Sequence, residues 1–175
     1  ANAIALLLDD IPEDFINKFG NKISEGTSHG ILANMLSKSL GENFYFVPRI
    51  YADELIGDEP NYLKDLSSIL NPKIKVFYCG KNVISKTLKN YAKNKKILRN
   101  DIIYWDNYYA NDYCPRRFFI GPYIGRKNVH NIMVNLTGLI NTDLLILDIV
   151  ATNFQNKVFT NEWGEILKSH GVPLV

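Results

Sequence analysis

The sequence predicts an α/β fold built on a parallel sheet, and three observations carry that prediction. Short apolar runs alternate with stretches of helical periodicity at a short, regular spacing, the pattern of β/α units. The first run, Ala3-Ile4-Ala5-Leu6-Leu7-Leu8, is almost purely apolar, as a strand covered on both faces should be. Polar and aromatic residues gather just after the runs, at what would be the C-terminal ends of strands.

Taken in order, residues 3–8 make the first strand, and Pro12 suits the start of a helix over 12–19. Gly30 to Leu40 is a second helical stretch, and 43–48 is the next strand, stopped by Pro48. A helix over 60–70 leads to a strand over 74–78. Ser85 opens a helix reaching Lys95, and 101–105 is the fourth strand. A long aromatic loop then runs to Arg126. Residues 127–138 read as helix, 144–148 as the fifth strand, and 149–169 as mostly helix with a break near Asn156-Lys157. There is no linker, internal repeat or low-complexity tract.

The chain has 175 residues, the size of one domain. A hydrophobic fraction of 46% is that of a globular fold rather than a disordered one. Net charge is +2 with both signs dispersed, which gives no electrostatic case for nucleic acid. The densest basic run, Lys89 to Arg99, reads as a solvated face. No apolar run approaches the ~20 residues of a membrane span. Cys79 and Cys114 make neither a disulfide framework nor a zinc site, and read as small pocket-wall residues. His29, His130 and His170 read as surface or helix residues. Ala1-Asn2 leads straight into a strand, without initiator Met or signal peptide.

The chemistry concentrates in Trp105-Asp106-Asn107-Tyr108-Tyr109-Ala110-Asn111-Asp112-Tyr113 and in Phe119-Ile120-Gly121-Pro122-Tyr123-Ile124-Gly125-Arg126. Aromatic faces cover the apolar side of a pyranose, while short amides and carboxylates take its hydroxyls. The pair Asp9-Asp10 ends the first strand. Two carboxyls beside an aromatic, amide-rich pocket suggest glycoside hydrolysis. Successive strand residues point to opposite faces, so both carboxyls reach one pocket only if the chain turns there. Close carboxyls repel when both are ionised, so one keeps its proton to higher pH, which divides the pair into an acid and a base. A strand-end turn or helix cap is the plainer reading of Asp-Asp. Mg²⁺ bound by Asp9, Asp10 and Asp14 is a third, but no phosphate-binding glycine loop accompanies it. Taken singly, Trp105 and Tyr51 read as core residues. Asn111 suits an Asx turn.

These blocks, with Phe44-Tyr45-Phe46-Val47-Pro48-Arg49-Ile50-Tyr51 and Tyr78-Cys79-Gly80-Lys81-Asn82-Val83-Ile84-Ser85-Lys86, resemble glycoside hydrolase family 84. That family comprises the protein O-GlcNAcases and related bacterial β-N-acetylglucosaminidases. The resemblance covers most of residues 3 to 151. It implies a (β/α)8 TIM barrel, of which residues 1–175 would be the C-terminal five-eighths. The absent three β/α units would carry a glycine-bearing strand and a lysine on the sugar's far side. It implies retention by substrate-assisted catalysis, in which the sugar's own 2-acetamido oxygen forms an oxazoline, with no metal, cofactor or protein nucleophile. Asp9 would orient the acetamido group and Asp10 would serve as acid and then base. Asn107 would contact the acetamido group and Asp112 the sugar hydroxyls. Tyr51 would bond the acetamido oxygen, and Trp105 and Cys79 would line the pocket. The family's asparagine at the end of the last strand falls nearest Asp148 here. Pro115-Arg116-Arg117 would shape the loop.

The implied partner is an N-acetylglucosamine-bearing glycan or glycoprotein, with self-association or a partner chain covering open sheet edges. A non-catalytic carbohydrate-binding or interaction module derived from this family is the alternative. An unrelated α/β protein with an aromatic partner-binding loop is a third.

Overall fold

A computed structural model of the chain describes residues 3–12, 14–20, 22–41, 43–57, 59–88, 96–112, 118–126, 129–154 and 159–173. Its strands are β1 (Ile4–Leu7), β2 (Phe44–Val47), β3 (Lys75–Tyr78), β4 (Ile102–Asp106) and β5 (Ile132–Val134). Its helices are α1 (Phe15–Phe19), α2 (Glu25–Leu40), α3 (Tyr62–Ile69), α4 (Ile140–Phe154) and α5 (Phe159–Ser169). The five strands form one parallel sheet in the order β1-β2-β3-β4-β5, each next to its predecessor in sequence. Register is fixed by Ile4 opposite Phe44, Tyr45 opposite Lys75, and Val76 opposite Ile102.

Packing divides the chain into two units, 1–83 with 89–105, and 84–88 with 106–175. In the first unit the period of two sorts strand residues onto two faces. Phe44, Phe46, Val76, Tyr78 and Ile102 join Ala33, Tyr62, Leu63 and Leu66 from α2 and α3. Their neighbours in sequence, Tyr45, Val47, Phe77, Ile103 and Trp105, form a separate cluster with Tyr51, Cys79 and Val83. Helix α2 is started by Ser24, whose hydroxyl accepts the Thr27 N–H. It lies so close to α3 that a Cβ on Gly26 would stand 2.3 Å from the Tyr62 carbonyl oxygen.

The expected first strand is present but is not covered on both faces. Ile4 and Leu7 are 44% and 59% exposed, because β1 is the end strand of the sheet and is paired on one side only. The first helix begins at Phe15 rather than at Pro12, and the second begins at Glu25, ahead of Gly30.

In the second unit, Tyr108, Tyr109 and Tyr123 pack with Leu145, Ile146, Ile149 and Val150 of α4 and with Leu167 of α5. Two elements differ from the sequence reading. Residues 132–134, expected in a helix, are β5, and 144–148, expected to be the last strand, lie inside α4. The run Leu144-Leu145-Ile146-Leu147 suits either structure by composition. Burial decides it: Leu145, Ile146, Ile149, Val150 and Asn153 recur at helical spacing. The Asp143 carboxylate ties down the helix entry by accepting the Thr137 N–H at 2.9 Å, its hydroxyl at 2.6 Å and the Gly138 N–H at 3.0 Å. Gly138 turns the chain there at φ +78°. Most of the predicted helix from Ser85 to Lys95, the break near Asn156-Lys157, Cys114, and Pro115-Arg116-Arg117 lie outside the described residues.

Candidate active site

In the first unit the candidates occupy the C-terminal edge of the sheet. The Leu8 N–H continues the β1–β2 pairing by reaching the Val47 carbonyl at 3.0 Å. The chain then turns, with the Ile11 N–H on the Leu8 carbonyl at 3.4 Å and Asp9-Asp10 at the tip. That turn is the condition under which adjacent carboxyls can leave the strand on one side, and it equally fits the plainer strand-end reading. Asp9 is half-buried and Asp10 exposed. Burial lifts the Asp9 carboxyl above its ordinary range. A backbone N–H works against that shift, and the charge of Asp10 adds to it. Asp14 pairs with Lys18 at 2.8 Å.

Tyr51, Cys79 and Trp105 share one cluster. Beyond the strands, the Cys79 N–H reaches the Tyr51 carbonyl at 2.7 Å, and the Asp53 N–H reaches that of Gly80 at 2.9 Å. The rings of Tyr51 and Trp105 stand 5.4 Å apart, and Cys79 is fully buried. The loop bearing Tyr51 is anchored two residues earlier by Arg49, which its near neighbours in the chain do not single out. The Glu25 carboxylate grips its guanidinium at 2.5 and 2.7 Å, and Glu59 takes a third bond at 2.5 Å. The Arg49 N–H donates to the Tyr62 hydroxyl at 3.1 Å, and that hydroxyl lies 2.9 Å from Nδ1 of His29. His29 is therefore a buried helix residue, not a surface one. Burial is the main cause holding it below its ordinary value, with the Glu25 charge opposing.

In the second unit Asn107 is buried just past β4, and its Oδ1 accepts a bond from Nδ2 of Asn135 at 3.1 Å. The Asn135 N–H in turn reaches the Asp106 carbonyl at 2.9 Å. Asp106 makes an Asx turn in this loop, its Oδ1 accepting the Tyr108 N–H at 3.0 Å. Asp112 is exposed on the same loop.

The structure corrects Asp148. It stands on α4, not at a strand end, and its exposed carboxylate meets Nε2 of His170 at 2.7 Å. Asn135 directly follows the last strand and was missed because β5 was read as helix. One signal could have found it: Ile132-Met133-Val134-Asn135 repeats the strand-then-amide arrangement of Ile103-Tyr104-Trp105-Asp106-Asn107. Asp106 and Arg126 stand in the two aromatic blocks, but nothing local marks them as partners of each other. A cavity of about 490 Å³ lined by residues including Leu63, Lys64, Ser67, Lys96 and Arg99 flanks α3 and holds none of the predicted site residues.

A family model described as NAGidase, beta-N-acetylglucosaminidase, matches residues 1–142. The protein O-GlcNAcases of Rattus norvegicus and Mus musculus are each 31% identical over 135 residues, 71% of this chain. The chain spans 14% of the length of either. Among solved structures, a mutant Thermobaculum terrenum O-GlcNAc hydrolase matches with a TM-score of 0.77 at 22% identity, over 98% of this chain and 40% of that one. The last likeness bears on the fold alone.

Proposed function

The chain belongs to the NAGidase family of β-N-acetylglucosaminidases, glycoside hydrolase family 84, and on that premise we propose that it forms part of the catalytic domain of a retaining enzyme of this kind. The observation that carries the reading is the Asp9-Asp10 turn on the same sheet edge that presents Tyr51 and Trp105. Asp9 holds the acetamido N–H of the substrate as its oxygen attacks the anomeric carbon. A half-buried carboxylate is poorly solvated, so it gains more from that donor than an exposed one does. Asp10, facing solvent, protonates the departing oxygen and then takes a proton from the incoming water. No protein nucleophile enters the cycle. Asn107 and Asp112 bind the sugar, and Asn135 takes the hydroxyl-binding place first given to Asp148.

The substrate class is an N-acetylglucosamine-bearing glycan or glycoprotein, and likeness to the O-GlcNAcases favours the glycoprotein. The exposed apolar side chains of β1 support a covered edge in the working protein, through further strands, a partner chain or self-association.

Hydrolysis of aryl N-acetylglucosaminides with good and poor leaving groups tests the assignment. Asp10→Asn should cripple the poor leaving group and spare the first step on the good one. Asp9→Asn should harm both. Equal loss on both substrates for both variants would reject these roles.

A further inference from the structure

Arg126 closes the second aromatic block without a sugar-binding role of its own, yet it is fully buried and every donor on its side chain is used. A guanidinium has five N–H groups in a fixed fork. Nε and one Nη2 hydrogen meet the Asp106 carboxylate at 2.9 and 3.2 Å. The second Nη2 hydrogen goes to the Ser85 carbonyl at 2.5 Å, and the two on Nη1 go to the carbonyls of Ile124, at 2.6 Å, and Lys86. The rings of Tyr108 and Tyr123 pack against it, with centroids 4.5 and 4.8 Å from the guanidinium carbon.

The Asp106 carboxylate is equally full. Oδ1 takes the Tyr108 N–H at 3.0 Å with Nη2, and Oδ2 takes the Tyr123 hydroxyl at 2.6 Å with Nε. The backbone on both sides of Asn107 is thus fixed by one carboxylate, and the Asp106 carbonyl holds the Asn135 N–H. We propose that Arg126 is a positioning residue, which by saturating Asp106 sets the placement of the Asn107 and Asn135 amides for sugar binding. The sugar-binding part of this inference rests on the function proposed above.

The test is a double-mutant cycle in kcat/KM on an aryl N-acetylglucosaminide, joining Arg126→Lys with Asn107→Ala. Lysine keeps the charge but not the fork. Alone, it should lower kcat/KM by roughly tenfold to a hundredfold, the scale of a misplaced binding group, chiefly through KM. In the Asn107→Ala background it should cost clearly less, because one of the two amides it positions is gone. Additive losses would overturn the proposal.

Hydrogen exchange gives a readout that needs no activity. Protection of the Asn135 N–H should fall at least about tenfold in Arg126→Lys, while that of Leu145 in α4 should hold. Unchanged Asn135 protection would overturn the proposal. A wild type that neither binds nor cleaves the sugar, with the protection loss intact, would reject the proposed function and leave the positioning standing. Should Arg126→Lys fail to fold, Tyr123→Phe removes one bond to Asp106 and keeps the ring, and the same two readouts apply with the same signs.

Discussion

Two buried arginines stand beside candidate sugar-binding residues, and they are held by different means. Arg49, in the first unit, gives three bonds to two carboxylates, Glu25 on α2 and Glu59 on the loop before α3. Arg126, in the second, gives two bonds to one carboxylate and three to backbone carbonyls, and packs against two tyrosine rings. A guanidinium on carboxylates joins side chains, and its partners can gain protons. One on carbonyls joins stretches of main chain through acceptors that never titrate. The first arrangement is replaceable by apolar packing. The second is not, because removing the arginine takes its donors from three carbonyls, one of them in a buried bond, that no second mutation can delete.

The largest effect should follow from breaking the second arrangement. Arg126→Met should cost about 3–5 kcal/mol in chemical denaturation, the range for a buried pair robbed of one partner. Adding Asp106→Asn should return little of that loss, since the carbonyls of Ser85, Lys86 and Ile124 still lack the arginine's donors. Arg49→Met should cost somewhat less, about 2–4 kcal/mol, because Glu59 is partly exposed and can rehydrate. Adding Glu25→Gln there should restore about half, by removing the uncompensated buried charge. Equal rescue in both pairs would erase the distinction.

Acid should weaken the Arg49 cluster in stages. Burial depresses His29 below its ordinary 6.5, so its contribution is whole above that pH and is lost as pH falls through the folded value. Glu25 is pulled below its ordinary 4.5. Burial alone would raise it, but the hydrogen bonds from Arg49 and Glu59 and the Arg49 and His29 charges prevail. Its contribution is therefore present above 4.5 and lost further into acid. Glu59 runs the other way. Burial and the Glu25 carboxyl lift it, so its contribution is present below 4.5 and lost as pH rises through the folded value, which offsets part of Glu25. Urea midpoints between pH 7.5 and 5 should fall in the wild type by the equivalent of about 1 kcal/mol or less. His29→Gln should flatten that slope. An unchanged slope would remove His29 from the account.

The smallest effect contrasts both buried clusters with the exposed His170–Asp148 pair. Asp148→Ala should change stability by no more than about 0.5 kcal/mol and leave sugar affinity alone. Asn135→Ala should weaken sugar binding. The reverse order would restore Asp148 to the site.

Local sequence was enough for the first four strands and for the helices between the first three of them, and for the Asp9-Asp10 and Trp105-Asp106-Asn107 motifs. Those features depend on near neighbours: apolar runs, turn residues, and motif spacing. It failed at 132–134 and at 144–148, since β5 has three residues, too few to show a period, and the Leu144–Leu147 run suits a strand as well as a helix. Only burial against Tyr108, Tyr109 and Tyr123 selects the helix there. The arginine clusters were out of reach for a related reason. Arg126 meets Asp106 from 20 residues away and Ser85 from 41, and Arg49 meets Glu25 from 24. A charge reads as solvated in sequence because water is its cheapest partner. It can be buried only where the fold delivers every acceptor at once, and that convergence is a property of the tertiary structure.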